Sequence, residues 1–216
     1  LHGRDYLTVY KHWGRAYPHA GYGSKFKNWM QTDGSETQDS FGNGSAMRVS
    51  PVGWAFETLE EVLDEAKKSA EPSHGHPVGV KGACSVAAAI FLARQGKTKD
   101  EIKEYIKKEF GYDLDRSIDD ISPKYKFDVT CQGSVPESII AFLESDSFED
   151  ALRNAISLGG DADTQACIAC SIAEAFYGPV DRSWVELLNI LLPQEVIRII
   201  EEFDKKYLGS RYNFFC

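Results

Sequence analysis

Six consecutive residues, Gly159-Gly160-Asp161-Ala162-Asp163-Thr164, carry the strongest chemical signal in the chain. They stand directly before a small-residue stretch, 165–177, whose apolar spacing predicts a helix. Two readings are open. In the first, Asp161 caps the amides at the helix start and Asp163 complements the dipole in its first turn. In the second, the paired glycines let the backbone turn sharply. Asp161 is then still outside the helix, and Asp161, Asp163 and the Thr164 hydroxyl converge on one point. Two carboxylates and a hydroxyl are hard oxygen donors, suited to Mg²⁺, Mn²⁺ or Ca²⁺ rather than zinc.

A second candidate is Ser40-Phe41-Gly42-Asn43-Gly44-Ser45-Ala46-Met47-Arg48. Glycines on both sides of Asn43 allow successive backbone N–H groups to face one anion, with the charge of Arg48 nearby. The same composition also describes a surface turn. Gly21-Tyr22-Gly23 is similar, a loop whose aromatic ring suits stacking on a base or ribose. In Ser73-His74-Gly75-His76-Pro77 the two imidazoles lack a third ligand at metal spacing. Ser73 as a helix-start residue and Pro77 in the first turn account for that geometry, with His74 at a pocket edge as the functional alternative. Cys167 and Cys170 have C-x-x-C spacing, but no second pair completes a zinc site, so they read as helix-packing residues. Asp119-Asp120 reads as a solvated helix start.

Composition narrows the function classes. With 24 Lys+Arg against 33 Asp+Glu the net charge is −9, so the chain lacks the basic field that drives non-specific nucleic-acid binding. No apolar run reaches membrane-spanning length, and no signal-peptide pattern opens the chain, so no membrane partner is expected. Five cysteines without framework spacing fit a reducing, cytoplasmic setting.

The elements that must position these residues are helices. Thr58 and Glu61, and Thr98 and Glu101, have capping-box spacing, each followed by helical apolar periodicity. Ser134 with Pro136 in the first turn predicts a third start, Ser147 a fourth, and Gly111 and Gly159-Gly160 are stops. Residues 78–94 read as a buried small-residue helix. Further helices are expected over 5–17, 184–191 and 195–207, and Pro193 splits the last two. Residues 125–130 are the one short strand candidate, while 18–50 and 111–133 read as irregular connections of the kind that carry function. The expectation is an all-α, single compact domain of about eight helices over residues 1–216.

Taken together and in order, five segments resemble the ADP-ribosylglycohydrolase family, which includes the dinitrogenase reductase-activating glycohydrolases. They are Ala20-Gly21-Tyr22-Gly23, then Gly42-Asn43-Gly44-Ser45-Ala46-Met47-Arg48-Val49-Ser50-Pro51, then Ser73-His74-Gly75-His76-Pro77. Gly133-Ser134-Val135-Pro136-Glu137 and Gly160-Asp161-Ala162-Asp163-Thr164 complete the series. The resemblance implies an all-α fold with a pair of Mg²⁺ ions in a cleft, Mn²⁺ being the alternative. It implies release of ADP-ribose from arginine, serine or a small acyl group. Asp161, Asp163 and Thr164 would be the C-terminal half of the metal site, and the two aspartates would contribute to catalysis through the metal. Gly21, Tyr22, Gly23, Phe41, Gly42, Asn43, Gly44, Ser45, Met47 and Arg48 would line the ADP-ribose cleft, with His74 beside them. Partners would be ADP-ribose or an ADP-ribosylated protein.

The family pattern also has an opening part: a Gly-Asp-rich first helix, a catalytic acidic residue and a Thr-Asp-Asp-Thr stretch. No counterpart stands in this chain, which begins at Leu1. The domain is therefore expected to be N-terminally incomplete, with apolar surface exposed around Tyr6, Tyr10 and Trp13, and to be unstable or oligomeric on its own. The competing functional readings are a catalytically inactive ADP-ribose-binding or structural protein on the same fold, and an unrelated helical regulator.

Overall fold

Both predicted capping boxes form. The Thr58 hydroxyl accepts from the Glu61 amide while the Glu61 carboxylate accepts from the Thr58 amide, and Thr98 and Glu101 repeat the pattern. Each pair satisfies amides that have no partner within the helix. The helices they open are α5 (Leu59–His74) and α7 (Lys99–Phe110), and Gly111 closes α7 in the left-handed conformation.

The computed structural model describes residues 5–34 and 36–212. Leu1, His2 and Cys216 lie outside them. In chain order the other helices are α1 (Tyr6–Ala16), α2 (Ser24–Met30), α3 (Gly44–Met47), α4 (Ser50–Ala55), α6 (Pro77–Arg94) and α8 (Ile118–Ile121). They continue with α9 (Cys131–Leu143), α10 (Phe148–Ser157), α11 (Ala162–Tyr177), α12 (Arg182–Leu191) and α13 (Gln194–Phe203), followed by a π-helical turn at Asp204–Leu208. The architecture is all-α, as expected. It has more helices than periodicity suggests, because α2, α3, α4 and α8 are too short to show an apolar repeat.

Three local expectations are corrected. Helix α9 starts at Thr130, whose hydroxyl accepts from the Gly133 amide, and not at Ser134. Pro136 therefore lies inside the helix, where its missing N–H removes the helical bond to the Gln132 carbonyl. Ser73 is buried near the end of α5, and it is His76 that caps α6, accepting from the Val78 amide, with Pro77 in the first turn. Residues 125–130 form no strand. A single antiparallel bridge joins Gly42 to Thr130, held by Asn43 N–H to Val129 O (2.8 Å) and Cys131 N–H to Phe41 O (2.9 Å).

Helix α6 is the axis of the core, packed against α3, α4, α5, α7, α9 and α11. Its small residues make that possible. A Cβ at Gly82 would lie 2.4 Å from Cys131 Sγ, and one at Gly53 of α4 would lie 2.6 Å from Ile90 of α6. By length and composition alone α6 is apolar enough to cross a membrane, contrary to the sequence expectation. A helix apolar on every side is equally what a buried core position requires. Ala83, Val86, Ala87 and Ile90 are buried accordingly.

Tyr6 and Tyr10 do not stand bare. Their hydroxyls donate to Glu65 (2.8 Å) and to Ser69 O (3.0 Å), docking α1 on α5, and Trp13 stacks on Tyr17. Exposed large apolar side chains gather instead on α12 and α13, at Leu187, Leu188, Ile190, Leu191 and Ile199.

Candidate functional site

The turn before α11 is built by two glycines in the left-handed region, Gly159 (φ 75°) and Gly160 (φ 77°). Gly160 is also pressed against the Tyr125 ring, where a Cβ would meet a ring carbon at 2.6 Å. Tyr125 is held there by its own hydroxyl, which donates to Gly133 O at 2.7 Å. The chain therefore enters α11 along one path, and Asp161 sits at the N-cap position.

Asp161 does not cap. Its side chain accepts nothing from the first-turn amides, and its Oδ2 accepts from Asn43 Nδ2 at 2.6 Å. Burial pushes its carboxyl above the ordinary range, a donor from Asn43 pulls it back, and the adjacent Asp163 carboxyl raises it again, with a Thr164 donor opposing. Two carboxylates and the Thr164 hydroxyl thus share one small volume at the head of α11. Asp163 is exposed, Asp161 half-buried and Thr164 buried. Among the described residues no group of three or more His, Cys, Asp or Glu could hold a metal ion. The donor set at α11 is two carboxylates and a hydroxyl, hard oxygens that fit a divalent cation of the Mg²⁺ class and fill part of its shell.

The glycine-flanked loop lies directly against this turn. Asn43 is buried, its amide bound to Val129 O, and its carbonyl accepts from the Ala46 and Met47 amides at 3.0 Å. The Gly42 amide is occupied by Ser40 Oγ at 3.2 Å. That leaves the half-buried Gly44 amide at the head of α3, where first-turn N–H groups have no acceptor within the helix, while Ser45 behind it is fully buried. The Ser45 hydroxyl donates to Gly79 O at 2.8 Å, fastening the loop to α6. Met47 bridges to α11: its sulfur accepts from Thr164 Oγ1 (3.6 Å), and its carbonyl accepts from Cys167 Sγ (3.1 Å). Phe41 and Met47 are each 42% exposed; Met47 sets an apolar side chain beside the acidic turn, and Phe41 packs against His76.

His74 closes the opposite side of the loop. A Cβ at Gly44 would stand 3.1 Å from its Nε2, so glycine is what admits the imidazole. Its Nδ1 pairs with Ser73 Oγ at 2.8 Å. Burial, with the Arg48 charge adding to it, pushes its pKa down to about 3, so the ring is neutral at physiological pH.

Of the remaining sequence candidates, Arg48 adjoins Ser73 and His74 and Cys167 follows the acidic turn on α11, while the others sit elsewhere. The Arg48 guanidinium turns toward α5, donating to Ser73 Oγ (2.6 Å) and Ser69 O (3.2 Å), and lies 4.2 Å over the Tyr10 ring. Gly21, with φ 79°, and Gly23 are exposed, and Tyr22 packs on Phe26. Among the described residues no hydrogen bond or ring contact joins this Gly-Tyr-Gly loop to the acidic turn. Asp119 and Asp120 are exposed in the first turn of α8, capped by Ser117. Burial pushes the Cys167 thiol up, and that of Cys170 to about 12, the opposite of what a thiolate ligand or redox centre needs. Two residues of the site escaped sequence reading. Tyr125 looked like part of a strand, and Ser134 looked like a cap; only the fold brings them against Gly160 and Asn43.

The family model for the ADP-ribosylglycohydrolases matches residues 3–211. This chain belongs to the ADP-ribosylglycohydrolase family. Similar proteins include ADP-ribosylhydrolase ARH3 of Homo sapiens, 29% identical over 192 residues, covering 67% of this chain and 53% of that protein. The Gallus gallus ARH3 is 30% identical, over 67% of this chain and 52% of its own length. An uncharacterized protein of Archaeoglobus fulgidus is 27% identical, over 68% and 53%. The chain spans about half the length of the curated relatives it matches. In fold it is similar to a solved ADP-ribosylglycohydrolase-related protein complex, with a TM-score of 0.69 at 21% identity, over 86% of this chain and 69% of that one.

Proposed function

We propose that this chain supplies the ADP-ribose-binding face and the C-terminal metal ligands of an Mg²⁺-dependent ADP-ribosylhydrolase. The observation that carries the reading is the Asn43–Asp161 contact, which fastens the glycine-flanked loop to the acidic turn in a chain of this family. ADP-ribose has three parts with different chemistry, and the rim of this site offers a surface for each. Phe41 presents an exposed ring edge-on to His76, suited to an aromatic base. The half-buried Gly44 amide suits the diphosphate. Asp161, Asp163 and Thr164 offer oxygens to the distal ribose.

Breaking the bond at the ribose C1″ builds oxocarbenium-like positive charge on the sugar. Negative carboxylates beside the ribose favour that charge, and a bound ligand held at base and diphosphate keeps C1″ in register. Asp161, Asp163 and Thr164 would hold the Mg²⁺ (or Mn²⁺), whose chemistry is to orient ribose hydroxyls and lower the pKa of a coordinated water. Neutral His74, packed under the loop, keeps the Gly42–Gly44 backbone in place without adding charge near the diphosphate.

Calorimetric titration of ADP-ribose with Mg²⁺ and again with EDTA tests the reading, followed by an assay for ADP-ribose release from serine- and arginine-linked ADP-ribosyl peptides. Mg²⁺-dependent binding with turnover is the expected result. Binding without turnover of either peptide would favour an ADP-ribose-binding role, and no binding in either buffer would sink the proposal.

A further inference from the structure

We infer that Asn43 and Ser134 form a two-link strap whose role is to aim the Asp161 carboxylate, making Asn43 a positioning residue for the acidic turn and Ser134 a positioning residue that acts through it. The inference rests on the proposed metal site and deepens it.

The direction of every bond in the strap is determined by proton count. Ser134 Oγ has one proton and donates it to Thr130 O at 2.7 Å. Toward Asn43 it is therefore an acceptor, at 3.1 Å from Nδ2. An ionised Asp161 carboxylate has no proton to give, so its 2.6 Å contact with the same Nδ2 is also a donation from Asn43. The two protons of one amide nitrogen are thus divided between a serine on α9 and an aspartate at the head of α11. The same Asp161 carboxyl also adjoins the Asp163 and Thr164 side chains.

The strap is rigid because its middle is buried and tied down. Asn43 is 6% exposed and Ser134 is fully buried. The Asn43 backbone is fixed at both its amide and its carbonyl. Aiming a carboxylate with an outer hydrogen bond is the usual way a protein prepares a metal ligand, and losing such a bond weakens metal affinity by about 10- to 100-fold. It also offsets part of the repulsion between Asp161 and Asp163.

The test uses the full chain with Mg²⁺, and Mn²⁺ as a second probe, in calorimetric titrations without any nucleotide. Asn43→Ala is expected to weaken metal binding about 10- to 100-fold. Ser134→Ala is expected to weaken it less. The double variant is expected to match Asn43→Ala alone, since Ser134 acts through Asn43. A general loss of fold would instead make the two effects additive. Unchanged affinity in Asn43→Ala overturns the inference, and so does additivity of the two changes. The Asn43 side-chain amide signals in NMR supply a readout that needs no metal. They are expected to shift and exchange faster in Asp161→Ala and in Ser134→Ala. If the parent chain binds no metal, the metal reading fails while shifted Asn43 signals still support the strap; unshifted signals overturn it.

Discussion

The ring of Tyr125 lies so close to Gly160 that a single added methyl group would meet it at 2.6 Å. Gly159, one residue earlier, has the same left-handed backbone and nothing within 4 Å of a Cβ. The pair separates two costs in one turn. Gly159→Ala carries backbone strain alone and should lower stability by about 1 kcal/mol. Gly160→Ala adds overpacking against Tyr125 and should cost about 2–4 kcal/mol. Urea unfolding of the two variants measures the difference, and equal midpoints would show that the ring does not constrain the turn.

The acidic turn should be separable from the fold. Asp163 is exposed and Asp161 caps nothing, so Asp161→Ala and Asp163→Ala should leave the far-ultraviolet helical signal intact. Each should abolish Mg²⁺-dependent ADP-ribose binding in the same calorimetric titration. Full Mg²⁺-dependent binding in both variants would remove the metal assignment.

Acid should weaken the protein through His74. The imidazole is neutral in the folded chain, with its pKa pushed from 6.5 down to about 3 by burial and by Arg48. Between those values the unfolded chain binds a proton that the folded chain refuses. Stability is therefore full above about pH 6.5 and falls as the pH drops toward 3, by up to roughly 1.4 kcal/mol per pH unit. His74→Gln should flatten that part of the pH profile in urea midpoints taken from pH 7 to pH 4. An unchanged slope would place the acid sensitivity elsewhere.

Arg48 belongs, by its contacts, to packing. Its bonds to Ser73 and Ser69 and its position over Tyr10 tie α3 to α5 and α1. Arg48→Ala should lower stability by about 2 kcal/mol and speed hydrogen exchange in α1. A loss of ADP-ribose affinity with no change in stability would instead assign the guanidinium to the diphosphate.

Much of this protein was legible in its sequence because the responsible physics is local. Thr58, Thr98 and Ser147 announce helix starts through hydrogen bonds spanning three residues. The apolar run of α6 announces a buried element, and the Gly-Asp-Ala-Asp-Thr run announces an acidic turn before a helix. Local spacing was also misleading where two local solutions competed: Thr130 and Ser134 are both competent caps, and the bridge from Thr130 to Gly42 selected the earlier one.

What Asp161 does with its side chain was decided only by the tertiary structure. Spacing marks it as a cap or a ligand; the structure brings Asn43, 118 positions away, to within 2.6 Å and so takes the carboxylate off the helix amides. The same holds for Arg48, whose charge is directed by Tyr10, Ser69 and Ser73 rather than by the glycines beside it. Short-range order follows from backbone geometry and hydrogen bonds a few residues apart, which the sequence contains in full. The partner of a buried polar group depends on which helix faces pack together, and that follows from burying one shared core.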